Sequence, residues 1–414
     1  MDISKQDIDK ELIAITNQLL IDSDQPYQRS IKLDASLQRH LGIDSLGRSE
    51  LFRRIEKHFQ VSMPDRLLAE VDTLNDIANF LATASPRIKN SAQQKVITSH
   101  GLRSSVDPTY AKTLIDVLLM YGEKSPDKAH IYFQHENGQE EIITYGKLLT
   151  TSLQVANGLQ ERGLREGDTV AIMQPTHPDF FYSFFGVLLA GGIPVPIYPP
   201  FRAHMLEAYA RTEARILQSA GVRMLITFGQ AEKLSHLLKA FVPSLNVVTT
   251  VEALMSPQAI PVVFSAREDS FAFIQYTSGS TSDPKGVLLT HYNLLSNIRA
   301  YGKAIQVTPD DVTVSWLPLY HDFGLIGAWL GSFYHGVPLV LMTPFSFLNH
   351  PERWLWAIHY HRGTVTGAPN FAYELCVRKI DPALIEGLDL TSWRLAANGA
   401  EKVYPRTLEQ FADK

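Results

Sequence analysis

Along the first 85 residues, apolar side chains recur at helical spacing. Ile8, Leu12, Ile15 and Leu19 form one stripe, and Leu51, Phe52, Ile55 and Phe59 form a second. Asp44 stands where it can cap the second helix. Thr73 and Asp76 make a Ser/Thr-x-x-Asp/Glu start signal ahead of Ile77, Phe80 and Leu81. Nothing in this stretch suggests a strand, so it predicts a small helical bundle over residues 1–85.

From residue 86 to residue 108 the large apolar side chains thin out, and Lys, Asn, Ser, Gln and Thr take over. The stretch reads as a 23-residue linker. A flexible coil of that length spans about 26 Å, enough to let the small unit swing over a neighbour's surface. Over 109–414 the pattern changes again. Helical stretches such as Tyr145–Arg162 alternate with compact apolar runs at 169–173, 193–197, 224–228, 271–276 and 337–342. That alternation predicts an α/β domain of mainly parallel sheets flanked by helices. No repeat of fixed period is present. The last eight residues, 407–414, read as a helix with neither apolar closure nor a stop signal, as in a piece of a longer chain.

Composition narrows the function classes. Of 414 residues, 45% are hydrophobic and 20% charged, which suits a globular chain of two or three domains. The net charge of -5 leaves no basic field for nucleic acid or an anionic membrane. Within 1–85, ten Lys and Arg face fourteen Asp and Glu, a net -4. The single cysteine, Cys376, excludes an internal disulfide framework and a cysteine zinc cluster. The polar, acidic start is no secretory signal, and a cytoplasmic location is expected. Phe180–Phe201 and Phe323–Pro351 lack Asp, Glu, Lys and Arg, but proline and glycine interrupt both. Each predicts a buried helix followed by a buried parallel strand, not a membrane span.

Two motifs carry chemistry. In LGIDSLGRSELF, residues 41–52, Ser45 stands just inside a helix start, where N–H groups and the positive dipole end favour an attached phosphate. The G-x-x-S-x-G spacing does not fit a hydrolase elbow, which needs G-x-S-x-G. Leu-Gly-Ile-Asp-Ser-Leu followed by Glu50-Leu51 in a helical unit resembles an acyl carrier protein domain. The resemblance implies 4′-phosphopantetheine on Ser45, with Asp44 and Leu46 as motif neighbours, and a phosphopantetheinyl transferase as partner. Arg48, Arg53, Arg54 and Lys57 make this helix more basic than in free-standing carriers, as befits a carrier embedded in a larger assembly.

The second motif, YTSGSTSDPKG at 276–286, follows an apolar run. A strand leading into a Gly/Ser/Thr loop supplies N–H groups and hydroxyls for a polyphosphate, and Lys285 adds a charge. It is not a Walker A loop, because Pro284 precedes Lys285 and Gly286 follows it. The pattern resembles the phosphate loop of the adenylate-forming superfamily. Thr144-Tyr145, Gly167-Asp168 and Ala190-Gly191-Gly192 before Pro194-Val195-Pro196 agree in order.

WLPLYHDFGLIG (316–327), TGAPNFAYELC (366–376) and AANGAEKV (396–403) resemble the fatty acyl-AMP ligases more narrowly. That resemblance implies that a long-chain fatty acid attacks ATP with Mg²⁺, pyrophosphate leaves, and the acyl adenylate passes to a carrier thiol in cis or in trans, feeding lipid or polyketide synthase enzymes. It assigns Thr277, Ser278, Gly279, Ser280, Thr281 and Lys285 to phosphate. Asn398, Gly399, Ala400 and Glu401 go to adenine. His321 lies by the acyl carboxylate, and with Lys285 is the catalytic candidate. Gly324, Gly327, Ala328 and Gly331 leave room for an alkyl chain among Leu325, Ile326, Trp329 and Leu330. The remaining histidines lack ligand spacing, so no protein metal site is assigned.

The family's later segments, with a Mg²⁺ glutamate, a ribose aspartate, a hinge and a lobe bearing a catalytic lysine, find no match. These 414 residues are therefore expected to turn over weakly or not at all. Three alternatives stay open: amino-acid adenylation, with Asp322 pairing an ammonium group; a CoA ligase; and a non-catalytic carrier on a nucleotide-binding scaffold.

Overall fold

The computed structural model describes residues 5–22, 31–37, 40–43, 45–59, 61, 63, 67, 71–82, 96, 106–200, 206–229, 232–255, 261–277 and 285–414. Asp44, most of the expected linker, and Ser278, Gly279, Ser280 and Thr281 lie outside the described residues, as do the side chains of Ser45 and Leu46. The chain forms two compact units, Met1–Lys95 with Phe345–Pro351, and Val96–Pro344 with Glu352–Lys414.

The smaller unit contains helices Lys5–Asp22, Ser45–Phe59 and Leu74–Leu81. Their apolar stripes meet in one core in which Leu12, Leu51, Ile55, Leu74 and Ile77 are fully buried. Thr73 caps the last helix in the box that the sequence predicts: its hydroxyl accepts from Asp76 N, and the Asp76 carboxylate accepts from Thr73 N. Arg48 is not on the surface. Its guanidinium is buried, donates to the Val71 carbonyl and pairs with Asp72 Oδ1 at 3.0 Å. Arg54 pairs with Asp22 and Glu50 at 2.7 and 2.9 Å. Much of the basic character of this helix is therefore consumed inside its own unit rather than offered to partners.

The larger unit carries strands β1 (Ala129–Gln134), β2 (Glu140–Thr144), β3 (Thr169–Ile172), β4 (Ile193–Pro196), β5 (Met224–Thr227), β6 (Val247–Thr250), β7 (Phe271–Thr277), β8 (Lys285–Thr290), β9 (Thr313–Ser315), β10 (Leu339–Met342), β11 (Val365–Ala368) and β12 (Leu395–Asn398). They form a six-stranded sheet, β12-β11-β9-β10-β1-β2, a four-stranded sheet, β4-β3-β5-β6, and the hairpin β7-β8. All neighbours are parallel except β1-β2 and β7-β8.

Strands β3, β4 and β5 of the four-stranded sheet are buried on both faces and read as apolar runs, whereas the edge strand β6, Val-Val-Thr-Thr, is mostly half-buried. Val170, Ile172, Met224 and Ile226 enter the main core, shared with Ile131, Phe133, Leu339 and Leu341 of the six-stranded sheet. Ala171, Met173 and Leu225, alternating with them, enter a second core. Between the sheets lies helix Pro178–Leu189, buried on every side because no charge interrupts it after Asp179. Both long uncharged stretches resolve as expected: Pro178–Leu189 leads into β4, and the helical run from Phe323 to His335 leads into β10.

Candidate functional site

Strand β7 ends in Gln275-Tyr276-Thr277 and pairs antiparallel with β8, with Thr277 opposite Lys285. This register brings both ends of the hydroxyl-rich segment 278–284 together, and both flanking side chains are exposed. Buried Gln275 ties the strand to the next part of the site, its Nε2 donating to the Tyr320 carbonyl at 3.3 Å. The Tyr320 ring packs at 4.7 Å against the ring of Tyr198.

His321 follows Tyr320 in a tight turn, its N–H donating to the Pro318 carbonyl at 3.2 Å. Its imidazole is half-exposed, with Nδ1 2.8 Å from Asp322 Oδ1. Asp322 also accepts from Phe323 N at 2.7 Å, so its carboxylate caps the helix that begins there. From Phe323 to Leu330 the helix is a π-helix, and from Gly331 to His335 an α-helix, closed by Gly336 at φ 64°. A π-helical run of this length is uncommon and is found mostly where function requires it. A Cβ on Gly324 would lie 2.2 Å from the Pro318 carbonyl oxygen, so this glycine lets the helix start against the His321 turn.

Beside this helix lies a cavity of about 280 Å³. Leu317 and Phe323, which bracket His321, line it, as do Gly327, Ala328 and Gly331 from the helix and Ala397 from β12. Of the residues that the resemblance places around the alkyl chain, Gly327, Ala328 and Gly331 line the cavity, and Gly324, Leu325, Ile326, Trp329 and Leu330 do not. Leu325 is fully buried in the main core, Ile326 packs against that core, and Gly324 meets the 317–318 backbone. Trp329 and Leu330 also belong to the core. The lining positions 327, 328, 331, 332 and 335 recur along one side of the helical run.

Ala397 leads directly to the adenine candidates. Asn398 ends β12 and donates from Nδ2 to Asn370 Oδ1 at 3.3 Å, while its buried Oδ1 has no partner. A buried acceptor without a donor suits an incoming exocyclic amine. Asn370 Oδ1 also accepts from Tyr404 N at 3.0 Å, which fixes the segment. Gly399 would meet nothing with an added Cβ, Ala400 adopts φ 66°, and Glu401 Oε1 accepts from Phe371 N at 2.7 Å. A non-glycine residue in the left-handed region is uncommon and marks a held conformation. Gln275 and Asn370 carry no spacing signal in the sequence; only their side-chain hydrogen bonds show their part.

Among the described residues no cluster of three or more His, Cys, Asp or Glu side chains could cage a metal. Burial pushes the Cys376 thiol up, which makes it an inert core residue. Burial raises the Glu213 carboxyl to about 8.

A family model described as AMP-binding enzyme matches residues 120–414, and one described as phosphopantetheine attachment site matches residues 27–81. The medium-chain-fatty-acid–[acyl-carrier-protein] ligase JamA of Moorena producens is 32% identical over 305 residues, covering 72% of this chain and 51% of the relative. TtuA of Teredinibacter turnerae, described likewise, is 30% identical over 343 residues, covering 73% and 53%. A fatty acyl-adenylate ligase from L. pneumophila, solved with acyl adenylate and pyrophosphate, superposes with a TM-score of 0.65 at 34% identity, covering 73% of this chain and 52% of that one. The chain spans about half the length of these relatives. Among the described residues no helix is long and apolar enough to cross a membrane.

Proposed function

The chain belongs to the AMP-binding enzyme family and carries a phosphopantetheine attachment region ahead of that domain, and from this premise we propose that it serves ATP-dependent activation of a fatty acid and its delivery to a carrier thiol. A carboxylate oxygen of the acid attacks the α-phosphorus of ATP, and the bond to pyrophosphate breaks. The acyl carbon is then attacked by a thiol, and AMP leaves with the bonding electrons. The observation that carries this reading is the cavity lined by Leu317, Phe323 and Ala397, chain neighbours of His321 and Asn398, which do not themselves line it.

Two anions must meet for the first step, so the site has to neutralise and align them. In this reading Thr277, Ser278, Gly279, Ser280, Thr281 and Lys285 bind the phosphates at the mouth of the hairpin. Mg²⁺ carried by ATP offsets phosphate charge. The unpartnered Asn398 Oδ1 accepts from the adenine amine, and Gly399, Ala400 and Glu401 border it. His321, its Nδ1–H turned to Asp322, donates to the acyl carboxylate from Nε2 in its imidazolium form and holds that oxygen toward phosphorus. With a volume of about 280 Å³, the cavity has room for part of an alkyl chain. JamA and TtuA are both named as medium-chain-fatty-acid ligases; the rest of a longer chain would have to extend past these walls.

Ser45 opens helix Ser45–Phe59, where the dipole favours a phosphodiester. The bound 4′-phosphopantetheine supplies the thiol, loaded by a phosphopantetheinyl transferase, in cis or on a partner carrier ahead of lipid or polyketide synthesis. The reading is tested by pyrophosphate exchange into ATP with octanoate, decanoate, myristate and a panel of amino acids. Exchange driven by fatty acids supports it; exchange with amino acids alone overturns it.

A further inference from the structure

The π-helix that walls the cavity is held from behind by three side chains that never touch the cavity. Trp329 is fully buried, and its indole N–H donates to Nε2 of His130 on β1 at 3.1 Å. An indole can only donate, so His130 accepts at Nε2 and carries its proton on Nδ1. His130 is fully buried and stacks on Tyr145 with centroids 4.7 Å apart; Tyr145 stacks on Tyr121 at 4.5 Å. The Tyr145 hydroxyl donates to the Phe333 carbonyl at 3.0 Å, and the Tyr121 hydroxyl to the Tyr334 carbonyl at 3.3 Å. Three stacked rings thus end in three hydrogen bonds to one helical run.

Only the Trp329 contact falls within the π-helical part. Phe333 and Tyr334 lie in the α-helical continuation, so His130 is the brace nearest the widened turns. Trp329 sits two positions from both Gly327 and Gly331, which line the cavity, and so projects to the opposite side of the helix. Rotation or tightening of the π-helix would have to break the Trp329–His130 bond, leaving an indole N–H without a partner among Phe180, Phe181, Phe184 and Phe185. Burial lowers the His130 pKa to about 3, which keeps the ring a neutral acceptor throughout the working range.

We propose that His130 is a positioning residue for acyl recognition: through Trp329 it fixes the rotation of the π-helix and so sets the shape of the cavity wall that meets the alkyl chain. The inference rests on the reading of that cavity as the acyl site. It assigns selectivity among chain lengths to a residue on β1 that contacts neither acid nor nucleotide.

The test uses the full chain and calorimetric binding of octanoate, decanoate and myristate, with ATP titrated separately. His130→Phe keeps the stacked ring but removes the acceptor. It is expected to weaken decanoate roughly three- to tenfold, as for loss of one buried hydrogen bond, and to flatten the preference among the three acids, with ATP affinity unchanged. His130→Gln, which can accept from the indole, should restore the preference. In ¹⁵N-labelled protein the Trp329 indole resonance should move in the Phe variant and return in the Gln variant. Trp329→Phe removes the donor, leaves His130 Nε2 without its partner, and should reproduce the loss if His130→Phe fails to fold. Unchanged acid binding in a folded His130→Phe or Trp329→Phe protein overturns the inference alone. Failure of the wild type to bind any acid overturns the proposed function and this inference with it.

Discussion

Replacing Gly324 with alanine tests whether the His321 turn and the π-helix act as one rigid piece. The added Cβ would lie 2.2 Å from the Pro318 carbonyl oxygen, 2.9 Å from its carbon and 3.0 Å from the Leu317 carbonyl carbon. The closest contact is roughly 1 Å inside ordinary packing distance, and all three atoms are backbone, so no rotamer change relieves it. The helix start must move away from the turn, against the bond from Leu325 N to the His321 carbonyl at 2.8 Å. Overpacking of this kind costs about 1–3 kcal/mol. At about 2–4 °C per kcal/mol for a domain of this size, melting should fall by roughly 2–12 °C. All five tryptophans lie at or after position 316, so their fluorescence follows the larger unit alone. Displacing His321 and the adjoining cavity wall should also weaken decanoate binding in calorimetric titration. A variant that melts within about 1 °C of the wild type and binds decanoate equally would refute the reasoning.

Other expectations follow from single groups. Glu213 is neutral in the fold because burial raises its pKa from 4.5 to about 8. The folded state therefore holds a proton that the unfolded chain releases, and stability falls as pH rises from about 4.5 to 8. Glu213→Gln should differ little from the wild type at pH 5 and be more stable by about 3–5 kcal/mol at pH 8 and above; equal melting curves at both pH values would contradict this. Arg48→Met removes the charge partner of Asp72, which keeps its bond from Ser36 and about a quarter of its exposure, and the donor to the Val71 carbonyl, and should destabilise the smaller unit by about 2 kcal/mol. Hydrogen exchange of peptides from 45–59 would show it, and unchanged protection would count against the buried pair. Ser45→Ala should abolish the pantetheine mass increment on treatment with a phosphopantetheinyl transferase and CoA while leaving decanoate binding intact; a retained increment would place the attachment elsewhere.

Much of this was legible before any coordinate. The runs at 169–173, 193–197, 224–228 and 337–342 are strands because both faces are buried, and burial on both faces leaves a continuous apolar signature. Thr73 and Asp76 carry their cap in their spacing. The antiparallel strands were less legible. In β8, Val287 and Leu288 remain exposed and hold their place by pairing with β7, so no alternation marks them. In β1, buried His130 breaks the apolar run. The π-helix left no trace, since a charge-free stretch with glycines at 324, 327 and 331 fits several helical periods equally. For the same reason the sequence grouped Leu325 and Ile326 with Ala328, although only the last faces the cavity. Gln275 and Asn370 gain meaning only from what lies across from them, and Arg48 reads as a surface charge until Asp72 is seen beside it.

The central claim is that one site joins a nucleotide to an alkyl chain. It is tested most directly by calorimetric titration with a non-hydrolysable decanoyl-adenylate analogue, compared with the same adenosine compound lacking the decanoyl chain. Each buried methylene contributes about 0.8 kcal/mol, so even partial seating of the chain should tighten binding more than tenfold. Equal affinities for the two compounds, or no binding of either, would contradict the account.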